Sequence, residues 1–383
     1  SDVYKRQFVD RAIRGDYVRV FDVTGEFSTL TDEFGGKIIK MDGSNGMLNP
    51  LEILKAGENE NVNFARHMSK ISTEYRFLRG LKPGEENEEV TEFQHIMREI
   101  YESYRLTPET IENGEHITGL PADKYPRFSD VLQYIRTKIN LIEKENYNDL
   151  EKEIAKQELL TLEKIRKIIE NIVNTYGFIF DGYTSMDNIL DEQIVTFDIS
   201  EVKEMAPEIF DAIIFNTVSL CWDNCVTNGT IMKDKYDKGA IKFEDVVRFL
   251  IIIDESHRWI NAQKLQAVQM ITVYLREARK FFGGIMMASQ SIRDYVPEGS
   301  ADAAINQIKS IFELTQYKFI FQQDSNTLSL IDKVFENVLT SSQRNQIPYL
   351  EQGQNILCIS SQSNLAFTVH LTKDEERIFA GGA

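Results

Sequence analysis

Hydrophobic positions change rhythm twice along the chain. Near the start, Phe8–Arg14 (FVDRAIR) reads as the end of a helix closed by Gly15-Asp16. Tyr17–Val23 (YVRVFDV) is β-branched and aromatic, as a strand requires. Lys37–Met41 is a second short strand, and Asp42–Pro50 (DGSNGMLNP) has loop composition. From about residue 60 the pattern becomes long, charge-rich and helical. Leu162, Ile165, Ile169, Ile172 and Tyr176 step by threes and fours along one helix face, with Gly177 expected as its C-cap. That repeat is short for a coiled coil, so a helix packing within its own subdomain is expected. The acidic run Glu85–Glu92 reads as a solvated loop or a helix start.

After about residue 190 apolar strands return. Ile194–Ile199, Arg248–Ile253, Gly284–Ala288 and Ser310–Thr315 read as strands, with Gln354–Ser360 and Ala366–Leu371 closing the set. Between them Ile209–Val226, Leu265–Phe282 and Asp324–Glu336 read as helices. Strands alternating with helices predict an α/β domain with a mostly parallel sheet flanked by helices, and the all-α stretch reads as an insertion into it.

Composition narrows the class. The 383 residues are 42% hydrophobic and 27% charged, which excludes a wholly disordered chain. The net charge of −17 argues against a general nucleic-acid binder, because phosphate contacts rest on Lys and Arg. No uninterrupted apolar run approaches the roughly 18 residues that cross a bilayer. Three cysteines, Cys221, Cys225 and Cys358, suit a reducing compartment, and the first two read as small buried residues rather than metal ligands. Ser1–Gln7 (SDVYKRQ) resembles a translated sequencing adapter, so residues 1–7 are expected to be non-native and the natural chain to continue upstream.

The strongest chemical signal is Phe249–Glu255 (FLIIIDE), an apolar strand that delivers two carboxylates at its carboxyl end, where α/β sheets place ligands. This is a Walker B pattern: Asp254 suits a Mg²⁺ position and Glu255 the polarisation of water. Gly284–Ala288 leads to Ser289-Gln290, and on a neighbouring parallel strand Gln290 would stand beside the Asp-Glu pair, as a phosphate sensor or merely within a helix cap. Arg276 and Arg279 share a helix face and could reach phosphates, in the same subunit or a neighbour, or form a solvated basic face. Asp22 and Glu26 (DVTGEF) leave the first strand near the same edge, Asp22 alternatively as a capping residue. His257 reads as a surface or interface residue. The phosphate-cradling G-x-x-x-x-G-K-[ST] does not occur in residues 1–383, and Phe8–Arg14 looks like the end of the helix such a loop would open.

Taken in order, DVTGEF (22–27), LNPLEI (48–53), IVTFDIS (194–200), FLIIIDESHRWI (249–260) and REARKFFGGIMMASQSIRDY (276–295) resemble the carboxy-terminal motor domain of conjugation and type IV secretion ATPases of the VirB/TrbE/TraC/CagE type. These belong to the HerA/FtsK branch of RecA-like P-loop ATPases. The resemblance implies a RecA-like sheet in residues 8–59 and 191–374, an all-α subdomain at 60–190 and a tail at 375–383. It implies ATP and Mg²⁺ as cofactors and an ATPase in the full-length protein, with the chain as written inactive for want of its phosphate loop. It assigns Mg²⁺ to Asp254, water activation to Glu255, sensing to Gln290, nucleotide contact to Arg279 and Arg276, an acidic motif to Asp22 and Glu26, and packing to Trp259. Its expected partners are secretion-channel and coupling proteins, further copies of itself in a homo-oligomer such as a hexamer, the inner-membrane complex at its cytoplasmic face, and DNA. A HerA/FtsK-type DNA translocase or coupling protein, and a non-catalytic scaffold, stay open as alternatives.

Overall fold

The structure, a computed structural model, describes residues 2–55, 59–82, 87–111, 115–145, 148–186, 189–335, 338–360 and 363–379. Ser1 of the heptapeptide, Glu85 and Glu86 of the acidic run, Glu336 and the tail beyond Phe379 lie outside the described residues. The chain divides into two units, one of residues 1–38, 190–200 and 224–383 and one of residues 39–189 and 201–223.

The first unit is built on a five-stranded sheet ordered β2-β3-β1-β4-β5. Its strands are β1 (Tyr17–Asp22), β2 (Lys37–Lys40), β3 (Ile194–Asp198), β4 (Phe249–Ile253) and β5 (Gly283–Met287). β1 runs parallel to both β3 and β4, and β4 runs parallel to β5. The helices α1 (Asp2–Ile13) and α2 (Ser28–Glu33) pack Phe8, Ala12, Phe27 and Leu30 onto Val18, Val20, Ile194 and Ile252 of the sheet. β5 is the last strand on its side among the described residues, and all five of its positions are only half-buried.

α7 (Pro207–Asp237) is long and apolar enough to cross a membrane by composition, yet 78% of its apolar window is buried inside the protein, as in a core helix. Its later turns lie tight against the chain entering β5. A Cβ on Gly229 would come within 2.5 Å of the Phe281 backbone, and one on Gly283 within 2.5 Å of Cys225 Sγ. α8 (Leu265–Ala278) joins β4 to β5 and buries Ala267, Val268 and Ile271. Beyond β5 come α9 (Ile292–Tyr295) and α10 (Asp302–Leu314), then β6 (Lys318–Ile320), α11 (Leu328–Val334), α12 (Ser341–Gln346), β7 (Gln354–Ser360), β8 (Ser363–Thr368) and α13 (Lys373–Ile378). The closing strands do not join the parallel sheet: β6, β7 and β8 form a separate antiparallel one.

The second unit is helical, with α3 (Glu60–Arg79), α4 (Glu88–Ser103), α5 (Phe128–Lys144), α6 (Asp149–Phe180) and the first turns of α7. Asn59 caps α3 by accepting from the backbone N–H groups of Asn61 and Val62, and Asn87 caps α4 through Glu89 N–H. The face of α6 read from the sequence is the buried one, with Leu162, Ile165, Ile169 and Ile172 at 1% exposure or less.

Two expectations need correction. Ser310–Thr315 is not a strand but the end of α10. Ala304, Ile305, Ile308 and Ile311 are spaced for a helix and buried along one face, so helical periodicity overrides the apolar run. Gly177 does not end its helix: Tyr176 breaks helical geometry at φ −118°, and the chain turns helical again to Phe180.

Candidate functional site

At the carboxyl end of the sheet the chain leaves β4 with an irregularity. Asp254 N–H donates to Phe21 O of β1 at 3.1 Å, and Ala288 N–H donates to Ile253 O at 3.0 Å. In a regular parallel ladder residue 255 would then donate to Ala288 O. Ser256 does so instead, at 2.8 Å, leaving Glu255 as an inserted residue with φ 44° and ψ 41°. That left-handed geometry favours glycine, and for a glutamate it costs about 1–2 kcal/mol. The strain is held by its surroundings, since Ser256 Oγ also binds Ala288 O at 2.9 Å and meets Tyr295 OH at 2.6 Å.

The bulge presents the two carboxylates differently. Asp254 is buried, with Tyr4 OH donating to Oδ1 at 3.3 Å and Thr24 Oγ1 donating to Oδ2 at 3.4 Å. Burial, then the nearby charges of Glu255 and Asp22, push its pKa up to about 6. Glu255 is more open. Its Oε1 accepts from Gln290 Nε2 at 3.0 Å, and its Oε2 lies 3.4 Å from His257 Nδ1. The residue expected to stand beside the Asp-Glu pair from the next strand therefore touches Glu255 directly.

Asp22 and Glu26 are near neighbours with other partners. Asp22 is buried, and its Oδ1 accepts from the backbone N–H groups of Thr24, Gly25 and Glu26 while Oδ2 accepts from Phe27 N–H at 2.9 Å. These bonds build the turn between β1 and α2 without capping that helix, whose N-cap is Phe27 and carries no side-chain cap bond. Burial raises the Asp22 pKa in spite of these bonds. Glu26 pairs with Lys5 Nζ at 2.9 Å, and Lys5, fully buried, also donates to Phe379 O at 3.0 Å. Lys5 and Tyr4, both in the heptapeptide, are site neighbours that sequence reasoning missed; only the helical continuity of α1 through them could have pointed there.

Arg276 and Arg279 are not brought to this cluster within one chain. Both are exposed at the end of α8, a 14-residue helix that travels about 21 Å from the carboxylate end of the sheet back to the start of β5. Trp259 is fully buried, in keeping with packing.

Among the described residues no three His, Cys, Asp or Glu side chains converge as a metal cage. Mg²⁺, however, usually takes one or two protein carboxylates and completes its shell with water and phosphate. Asp254 fits that donor set: it is a buried carboxyl with long hydroxyl contacts, and burial together with the neighbouring carboxylates raises its proton affinity.

No family model matches the chain. The uncharacterized protein pXO2-09 of Bacillus anthracis is 30% identical over 96% of this chain, and the chain spans 57% of that relative's length. Among solved structures, VirB4 of Thermoanaerobacter pseudethanolicus superposes with a TM-score of 0.73 at 17% identity, covering 97% of this chain and 86% of that one. The conjugative coupling protein TrwB overlaps more loosely, with a TM-score of 0.47 at 12% identity over 94% of this chain and 86% of that one. The VirB4 likeness establishes the fold: a RecA-like, mostly parallel sheet flanked by helices with an all-α unit, as the resemblance implied.

Proposed function

We propose that this chain is the motor portion of an ATP-hydrolysing protein that drives conjugative DNA transfer or type IV secretion. The observation that carries the reading is the contact between Gln290 and Glu255 beside a buried Asp254, at the carboxyl ends of adjacent parallel strands. Asp254 would hold Mg²⁺, which neutralises phosphate charge when bound. The Glu255 carboxylate accepts hydrogen bonds from water and withdraws a proton from it as attack proceeds. Gln290, neutral and a donor to that carboxylate, holds Glu255 in place and can register a third group entering between them. The fold shared with VirB4 supports placement with secretion-channel and coupling proteins at the cytoplasmic face of the inner membrane, as a homo-oligomer.

The test is to measure phosphate release by the natural full-length protein with Mg²⁺ and ATP, with and without EDTA. Turnover that needs the metal is the expected result. A folded full-length protein that neither binds nor hydrolyses nucleotide sinks the reading and favours a scaffold.

A further inference from the structure

His257 lies three residues past Asp254, and the catalytic reading gives it no part. Its side chain is about four-fifths buried, with Nδ1 turned toward two groups. Ser289 Oγ is 3.0 Å from Nδ1, and Glu255 Oε2 is 3.4 Å from the same atom. Ser289 Oγ in turn lies 3.2 Å from Asp294 Oδ2, which can only accept while ionised, and Asp294 also receives Ser291 N–H at 2.9 Å. The proton positions follow. If the Ser289 hydroxyl donates to Asp294, it must accept from His257, so Nδ1 carries hydrogen. The Glu255 carboxylate demands the same, because a bare Nδ1 lone pair facing it would be repelled.

We infer that His257, protonated on Nδ1, is the positioning residue that holds the Glu255 carboxylate on its strained bulge and ties it through Ser289 to the end of β5. This inference rests on the proposed ATPase reading. Each oxygen of Glu255 then has one holder, Gln290 on Oε1 and His257 on Oε2, and both holders belong to segments anchored at the β4 and β5 ends. A side chain left-handed at its Cα has no regular strand to orient it, so its direction depends on these two contacts. The chemistry needs a donor at the place of Nδ1 and nothing at Nε2.

Asn and Gln separate the two ring nitrogens, since an Asn amide reaches the place of Nδ1 and a Gln amide that of Nε2. In the full-length protein, His257→Gln is expected to lower kcat by roughly 10- to 100-fold with KM for ATP little changed, the cost of a misplaced reacting group. His257→Asn is expected to restore kcat to within about threefold, because the hydrogen bond is rebuilt. Equal rates in the two variants, whether both normal or both low, overturn the inference. Nitrogen-15 spectra of the histidines, assigned by loss of one signal in His257→Asn, should show Nδ1 carrying the proton at pH 8; a proton on Nε2 alone overturns the inference too. This spectrum needs no turnover. A wild-type protein without ATPase activity therefore removes the catalytic reading, while the tautomer still decides whether His257 faces the carboxylate as a donor.

Discussion

Glu74 Oε1 accepts from Asn216 Nδ2 at 2.7 Å, while Glu74 Oε2 and Asn216 Oδ1 are both buried without a partner among the described residues. One proton on Glu74 Oε2 would answer both vacancies by donating to Asn216 Oδ1, closing an acid–amide ring with two hydrogen bonds. Burial raises the Glu74 pKa to about 7 in agreement, with Lys70 pulling the other way.

That pair makes stability fall with rising pH. Below the ordinary carboxyl value near 4.5 the acid is protonated folded and unfolded alike, and no difference arises. Between there and about 7 the unfolded chain loses the proton and the folded one keeps it, so folding becomes progressively less favourable, by about 3 kcal/mol in all. Glu74→Gln keeps both hydrogen bonds without a titrating group. Urea midpoints at pH 5 and pH 8.5 should differ less in the variant than in the wild type; equal differences would show that Glu74 ionises normally.

Glu255→Gln in the full-length protein should bind ATP as the wild type does and turn over about 10²–10⁴-fold more slowly, because an amide cannot take a proton from water. Equilibrium nucleotide binding and phosphate release, measured side by side, give the answer. Near-normal turnover would move the role elsewhere, with Glu26 the next carboxylate.

Lys5→Ala leaves Glu26 without its ion-pair partner and Phe379 O without a donor. Breaking a buried pair from one side costs about 3–5 kcal/mol, a range to be reduced here because Glu26 is partly exposed. Chemical denaturation of the chain as written measures it. An unchanged midpoint would mean that the heptapeptide contributes nothing to the fold, as an adapter-derived segment should not.

Arg279→Ala should slow turnover only in an assembled state. Arg279 stands at the far end of α8 from Asp254 in its own chain, so phosphate contact requires a neighbour's site. Turnover compared across the assembly equilibrium tests this: equal loss in the separated subunit would place the arginine in its own site after all.

Gly229→Ala should destabilise by about 1–3 kcal/mol, since the added methyl meets the Phe281 backbone rather than a movable side chain. The thermal midpoint reads it, and no shift would mean that the α7 contact is looser than its geometry.

The parallel sheet was legible because β1, β3 and β4 are β-branched and apolar runs of strand length, and a strand buried on both faces announces itself by composition. Ser310–Thr315 misled for the same reason, its apolar residues belonging to a helix face set by Ile305 and Ile308 upstream. Asp254, Glu255 and Gln290 could be paired from sequence because parallel order brings strand ends together. The bulge at Glu255 could not, since it depends on Ser256 reaching Ala288 across the sheet. Nor could the approach of Tyr4 and Lys5 to carboxylates 250 and 21 residues away, which only the packing of α1 decides.

The outer edge of β5 carries this furthest. A row of backbone donors and acceptors with no strand beside it among the described residues is a template, and GGIMM offers neither the charge nor the proline that would blunt it. An extended segment presented there, such as a strand from another copy of the chain, would find that row to pair with. Oligomers that break up when a charge is placed on β5, as in Ile285→Lys, are held through that edge, and oligomers that persist are held elsewhere.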